Sequence, residues 1–204
     1  MSQERAGISD DAVRAATGRT PAEWEAQLDA RGAADLLHKQ IVAQLQELGV
    51  ERGWWRQMLT VDYERRKGKR ALGQTAATGF EIGVRRTLQI PADDAWQLLM
   101  SPEGVGAWLG GKGPRWEKGE TYTLKDGSAG EVRVFKPGSH LRMTVQPEGW
   151  PRASTLQVRV MPSGEEKTVI SFHQEHLPGA AEREERRKFF EAALDALQKR
   201  VKMG

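Results

Sequence analysis

From Phe80 to Gly110 the chain reads FEIGVRRTLQIPADDAWQLLMSPEGVGAWLG, and this stretch constrains the fold more than any other. Phe80, Ile82, Val84, Leu88 and Ile90 share one parity, the period of a half-buried strand. Pro91 cannot donate to a ladder, so the strand ends there, and proline suits the first turn of the helix that comes next. That helix carries Ala95, Trp96, Leu98 and Leu99 on an apolar face. Ser101-Pro102 stops it, because the residue before a proline avoids the helical region. Pro102 opens a second short helix, which turns Val105, Trp108 and Leu109 inward and ends at Gly110-Gly111.

Beyond Gly111 the chain turns to a series of hairpins. Strands are expected over Trp116–Leu124, Glu131–Phe135 and His140–Gln146, the last with Leu141, Met143 and Val145 inward. A fifth strand puts Leu156, Val158 and Val160 on one face, and a sixth, Lys167–Glu175, turns Ile170 and Phe172 inward. Lys125-Asp126-Gly127, Lys136-Pro137-Gly138 and Pro162-Ser163-Gly164 supply the turns. A long helix then runs from Gly179 to about Val201, with Phe190, Leu194, Leu197 and Val201 in helical phase. Glu182–Arg186 and Glu184–Lys188 are spaced as favourable pairs on its charged first half. A curved sheet needs its concave face covered, and this helix alone is long enough. The pattern predicts an α+β fold in which an antiparallel six-stranded curved sheet wraps the C-terminal helix.

Ahead of this lies a small all-α segment, residues 9–68. Ser9 caps a first helix, and Thr20-Pro21-Ala22-Glu23 is a capping box with proline at the first helical position. A third helix carries Leu37, Ile41, Leu45 and Leu48, and a fourth, from about Arg52 to Lys67, carries Trp55, Leu59 and Tyr63. Residues 69–79, KRALGQTAATG, are small and polar without a period and read as a linker to a domain spanning 80–202.

Composition narrows the function. The chain has 204 residues, 38% hydrophobic and 29% charged, which suits a globular protein. No apolar run approaches the roughly 18 residues of a membrane span, and the polar N-terminus has no secretory h-region. The absence of cysteine removes disulfide and thiolate chemistry and fits a reducing cytoplasm. A net charge of +3 with both signs interspersed argues against nucleic acid as a partner. Seven tryptophans suggest bulky packing or an aromatic-lined cavity.

Motifs that carry chemistry are sparse. There is no Gly-x-Ser-x-Gly and no His-Glu-x-x-His. His173-Gln174-Glu175-His176 resembles a metal cluster, but in a strand His173 and Glu175 face one side and His176 the other, so no metal and no cofactor is expected. Asp93-Asp94 suit a helix N-terminus. Gly110-Gly111-Lys112-Gly113-Pro114 lacks phosphate-loop spacing. The run Arg65-Arg66-Lys67-Gly68-Lys69-Arg70 fits a phosphate backbone or an acidic partner surface, or simply a helix C-terminus and a soluble linker. Arg86 is the oddity, because it falls on the apolar parity of the first strand. Such a cation must be turned out by a bulge or meet an anion.

The order strand, proline, Trp96, Pro102, then Trp108-Leu109-Gly110 resembles the START-like helix-grip superfamily, and within it the C-terminal domain of activators of the 90-kDa heat-shock protein ATPase. Thr17-Gly18-Arg19-Thr20-Pro21 with Trp24, Ile41-Val42-Ala43-Gln44-Leu45, and Gly53-Trp54-Trp55 to Tyr63-Glu64 resemble a short bacterial helical domain of unknown function that precedes START-like domains. The resemblance implies a non-catalytic protein holding a hydrophobic or amphipathic small molecule between sheet and C-terminal helix. Its expected pocket residues are Arg86, Trp96, Trp108, Trp116, Leu141, Met143, Val158, Phe172 and Phe190. It leaves open a co-chaperone-like role in the stress response with a chaperone as partner, and a START-like cyclase or hydrolase.

Overall fold

The structure is a computed structural model and describes residues 8–70, 74–75 and 79–203. Residues 1–72 and 73–204 form two compact units.

The first unit holds α1 (Asp10–Thr17), α2 (Pro21–Ala30), a short 3-10 turn (Ala33–Asp35), α3 (His38–Glu47) and α4 (Gly53–Arg66). Ser9 caps α1 by accepting from the Ala12 N–H, and Gly18 closes it in the left-handed region at φ 80°. Thr20 and Glu23 form the expected capping box at α2. Trp24, Leu28, Ile41, Leu45, Leu59 and Tyr63 are buried at the centre. Leu37 differs from expectation, since it is 74% exposed. It precedes α3, and its N–H donates to the Gln40 side chain, so it lies outside the helical phase that buries Ile41 and Leu45. The basic run is largely paired within the unit. Arg66 meets Glu25 and Asp62, Lys67 meets Glu25 and Asp29, and Arg70 meets Glu64.

The second unit is a seven-stranded antiparallel sheet with three helices. Its strands are β1 (Gln74–Thr75), β2 (Gly79–Leu88), β3 (Thr121–Thr123), β4 (Ala129–Lys136), β5 (His140–Val145), β6 (Ser154–Gly164) and β7 (Lys167–Leu177). They lie in the order β1-β2-β7-β6-β5-β4-β3. The seventh strand is β1, which falls inside the expected linker and pairs with Gly79 and Phe80. Residues 71–73 and 76–78 of that linker lie outside the described residues. The strand expected over Trp116–Leu124 shrinks to Thr121–Thr123, because the Glu120 N–H turns back to the Glu117 carbonyl.

Cross-strand register builds the inner face in rows. Val84 faces Phe172, which faces Val158, which faces Leu141. Ile82, Gln174, Leu156 and Met143 make the next row. At the far end of β7, Phe80 pairs with Leu177 while Ile82 pairs with Gln174, so two residues on β7 oppose one on β2. This bulge, with His176 at φ 64°, resets the alternation and brings Leu177 into the core.

The helices are α5 (Ala92–Met100), α6 (Pro102–Leu109) and α7 (Ala180–Met203). Phe190, Ala193, Leu194 and Leu197 of α7 are buried in the core with the inner face of the sheet. Ser101 caps α6 by accepting from the Gly104 N–H at 3.0 Å. A Cβ on Gly104 would lie 2.1 Å from the Leu98 carbonyl oxygen, so only glycine lets α6 turn this tightly off α5. The ion pairs expected on α7 are replaced by others: Arg187 bridges Glu184 at 2.6 Å and Glu191 at 2.5 Å. Among the described residues no helix is long and apolar enough to cross a membrane.

Candidate functional site

The inner face of the second unit carries a row of aromatic rings. Trp96 lies 5.8 Å from Phe135, Phe135 is stacked 6.1 Å from Trp116, and Trp116 lies 5.8 Å from Trp108. Trp108 continues to Phe172 at 6.2 Å, and Phe172 stacks on Phe190 at 5.0 Å. Trp108 can be buried whole because its indole N–H donates to the Leu99 carbonyl at 2.9 Å.

Beside this row is a recess of about 370 Å³. Met100, Pro102, Val105 and Gly106 form its helical wall, and Gly111, Lys112, Gly113 and Trp116 form the wall opposite. The Gly-rich stretch therefore shapes a hollow. A Cβ on Gly113 would lie 2.4 Å from the Trp116 ring and 3.1 Å from Val105, so glycine is what lets the loop close over them. Lining of this kind, mostly apolar with one cation at the rim, suits a small amphipathic molecule. The first unit has a much smaller hollow, about 40 Å³ beside Trp55 and Met58, which has room for little more than water.

The nine expected pocket residues divide three ways. Trp108, Leu141, Met143, Val158, Phe172 and Phe190 are fully buried and packed together as core. Trp116 lines the recess, and Trp96 is half-buried against Phe135. Arg86 does point to the helix side, where its guanidinium pairs with Asp195 and donates to the Gln198 side chain at 3.0 Å, both on α7. The inward cation of β2 thus has a carboxylate of the same unit.

A second arginine is placed differently. Arg186 of α7 lies over the Phe189 ring at 4.5 Å and the Phe190 ring at 4.8 Å. Its Nε donates to the Gln174 oxygen at 2.9 Å. Gln174 is fully buried and donates to Ser154 Oγ at 2.7 Å, which donates to the Val145 carbonyl at 2.6 Å. A polar line therefore crosses the apolar face from β5 to α7. Tyr122 stands near it, its hydroxyl donating to the Thr144 carbonyl and its pKa pushed up by burial. Burial pulls the Arg186 guanidinium down to about 10, against attraction from Glu185, Tyr122 and Asp126. Neither Gln174 nor Arg186 is among the residues expected from sequence. Gln174 shares the parity of Ile170 and Phe172, and Arg186 lies four before Phe190 and seven before Ala193, so the signal was periodicity.

On the outer face, Glu81, His173 and Glu175 place one donor atom each within 4.8 Å of one another. Glu175 is also engaged by Arg142 at 3.6 Å, a cation that competes with any metal for its carboxylate.

An α+β unit with this strand order, two short helices after the first long strand and a C-terminal helix on the concave face is a START-like helix-grip domain. The family described as activator of Hsp90 ATPase homolog 1-like protein matches residues 89–202, and the chain belongs to it. Among solved structures, CalU16 from Micromonospora echinospora is 21% identical, with 59% of this chain covering 73% of that one at a TM-score of 0.52. DynU16, a protein of the dynemicin biosynthetic locus, is 17% identical, with 60% of this chain covering 47% of that one at a TM-score of 0.50. An Hsp90 activator from Plasmodium falciparum is 14% identical over 50% of this chain and 76% of its own, at a TM-score of 0.42. No curated protein matches the chain.

Proposed function

We propose that this protein is a non-catalytic binding protein whose helix-grip domain holds a hydrophobic or amphipathic small molecule. The observation that carries the reading is the recess of about 370 Å³ between α6 and the Gly111–Trp116 loop. It departs from a cavity between the sheet and the C-terminal helix, because that space is filled by Trp108, Phe172 and Phe190. A bound alkyl chain would lie against Met100, Val105 and the Trp116 ring, with Lys112 at the rim.

Gly106 makes a clean test. It lines the recess, and a Cβ added there meets nothing within 4 Å. Gly106→Phe should fill the recess without disturbing α6, and replacing a mid-helix glycine should if anything stabilise it. Titration of the wild type with decanol, followed by tryptophan fluorescence, should saturate, and Gly106→Phe should abolish the signal without lowering the melting temperature. Saturable binding that survives in Gly106→Phe would place the ligand elsewhere.

Family membership itself favours a second reading, a protein-interaction module acting on a chaperone. In that case stoichiometric protein raises the ATPase rate of a 90-kDa chaperone, and Gly106→Phe leaves the effect intact.

A further inference from the structure

We propose that the molecule held here carries an acid group, a carboxylate on an apolar body, and that Arg186 is the residue that binds it. The inference rests on the small-molecule reading and names the chemistry of its polar end.

Arg186 has more donors than the protein gives it acceptors. A guanidinium offers five N–H donors. Only Nε has a protein acceptor among the described residues, the Gln174 oxygen at 2.9 Å. Glu185 and Asp126 act on Arg186 through space, but among the described residues no carboxylate lies within 4.0 Å of it. Its neighbours show that acids were available on the same helix. Arg187 takes both Glu184 and Glu191, and Arg86 takes Asp195. Arg186 alone of these three is turned against aromatic rings and a buried amide. A guanidinium held this way can take an anion from outside the chain on its Nη groups.

The donor is also held in place. Gln174 is fixed by Ser154 and Ser154 by the Val145 carbonyl, so the hydrogen bond to Nε orients the guanidinium plane. It lies over the Phe189 and Phe190 rings. Among the described residues nothing pairs with the two Nη groups, the fork that suits a carboxylate through two parallel hydrogen bonds.

The diglycine turn Gly110-Gly111 borders both the recess and a ring under Arg186. Gly111 lines the recess, and a Cβ on it would lie 3.1 Å from Leu124. A Cβ on its neighbour Gly110 would lie 4.0 Å from Phe189, the ring that carries Arg186. An amphiphile with its tail along Val105 and Trp116 would run over the outside of this turn, which packs on Leu124 and Phe189, to present its acid to Arg186.

The test sets decanoate against decanol on the full chain at pH 8, where the acid is ionised. Wild type should bind decanoate about tenfold or more tightly than decanol, as a charge-assisted contact allows. Arg186→Met should remove the preference, bringing decanoate affinity down to that of decanol. Arg186→Lys should keep part of it, because lysine has the charge but not the fork. Equal binding of the two probes by wild type, or a preference that survives Arg186→Met, overturns the assignment while the binding reading stands. Binding of neither probe overturns both. Should Arg186→Met fail to fold, the wild-type comparison and Arg186→Lys still decide.

Discussion

Arg86 and Arg186 both project toward the interior of the second unit, and they differ in what they meet. Arg86 is paired, and its side chain keeps 31% of its surface while Asp195 keeps 54%. A pair that open contributes at most about 1 kcal/mol. Arg86→Leu should therefore lower the unfolding free energy in a denaturant titration by no more than that and leave decanoate affinity unchanged. A loss of ligand affinity would make Arg86, and not Arg186, the residue that holds the acid. An inward cation on β2 was legible in the parity of Val84 and Leu88, but its partner was not, because Asp195 is 109 residues away and only the docking of α7 brings it near. Arg186 was hidden for a different reason. Its spacing from Glu182 has the form of a surface ion pair, so a local pattern masked the longer phase it shares with Phe190 and Ala193.

At the scale of elements, α7 is the piece on which the concave face depends. Leu194 and Leu197 are fully buried, and Phe190 stacks on Phe172 at an interplanar angle of 5°. Leu194→Ala should cost roughly 2–5 kcal/mol of unfolding free energy, as large-to-small core changes do. Exposed Lys199→Ala on the same helix should stay within about 0.5 kcal/mol. Equal effects of the two substitutions in a denaturant titration would mean that α7 does not pack on the sheet. The helices and the inner strands were legible because they obey a simple period and end at proline or glycine. The short β3 was not, since Trp116, Tyr122 and Leu124 share a parity while the backbone between them makes a turn at Glu117–Glu120. Trp116 is freed from the sheet by that turn and becomes a wall of the recess, which is why the binding site was harder to read than the fold.

At the scale of the whole molecule, each of the two compact units has its own core. Trp24, Leu28, Ile41, Leu45 and Tyr63 belong to one, and the aromatic row with Leu141, Leu156 and Leu194 belongs to the other. A unit with its own core is able to fold alone. The second unit is the one that contains the family match, the recess and Arg186. We propose on this ground that residues 9–68 and 80–202 are separable domains joined by the small, polar stretch between them. A fragment beginning at Gly73 keeps β1 available to pair with β2, so no edge of the sheet is lost by the cut. Limited proteolysis should cleave first within residues 69–79 and release a C-terminal fragment that still melts in one cooperative step. That fragment should bind decanol with the affinity of the full chain, because every side chain lining the recess lies within it. First cleavage beyond residue 79, or a fragment without a cooperative melt, would show that the helical segment is part of the fold of its neighbour. A fragment that melts normally but no longer binds would overturn the placement of the ligand in the recess.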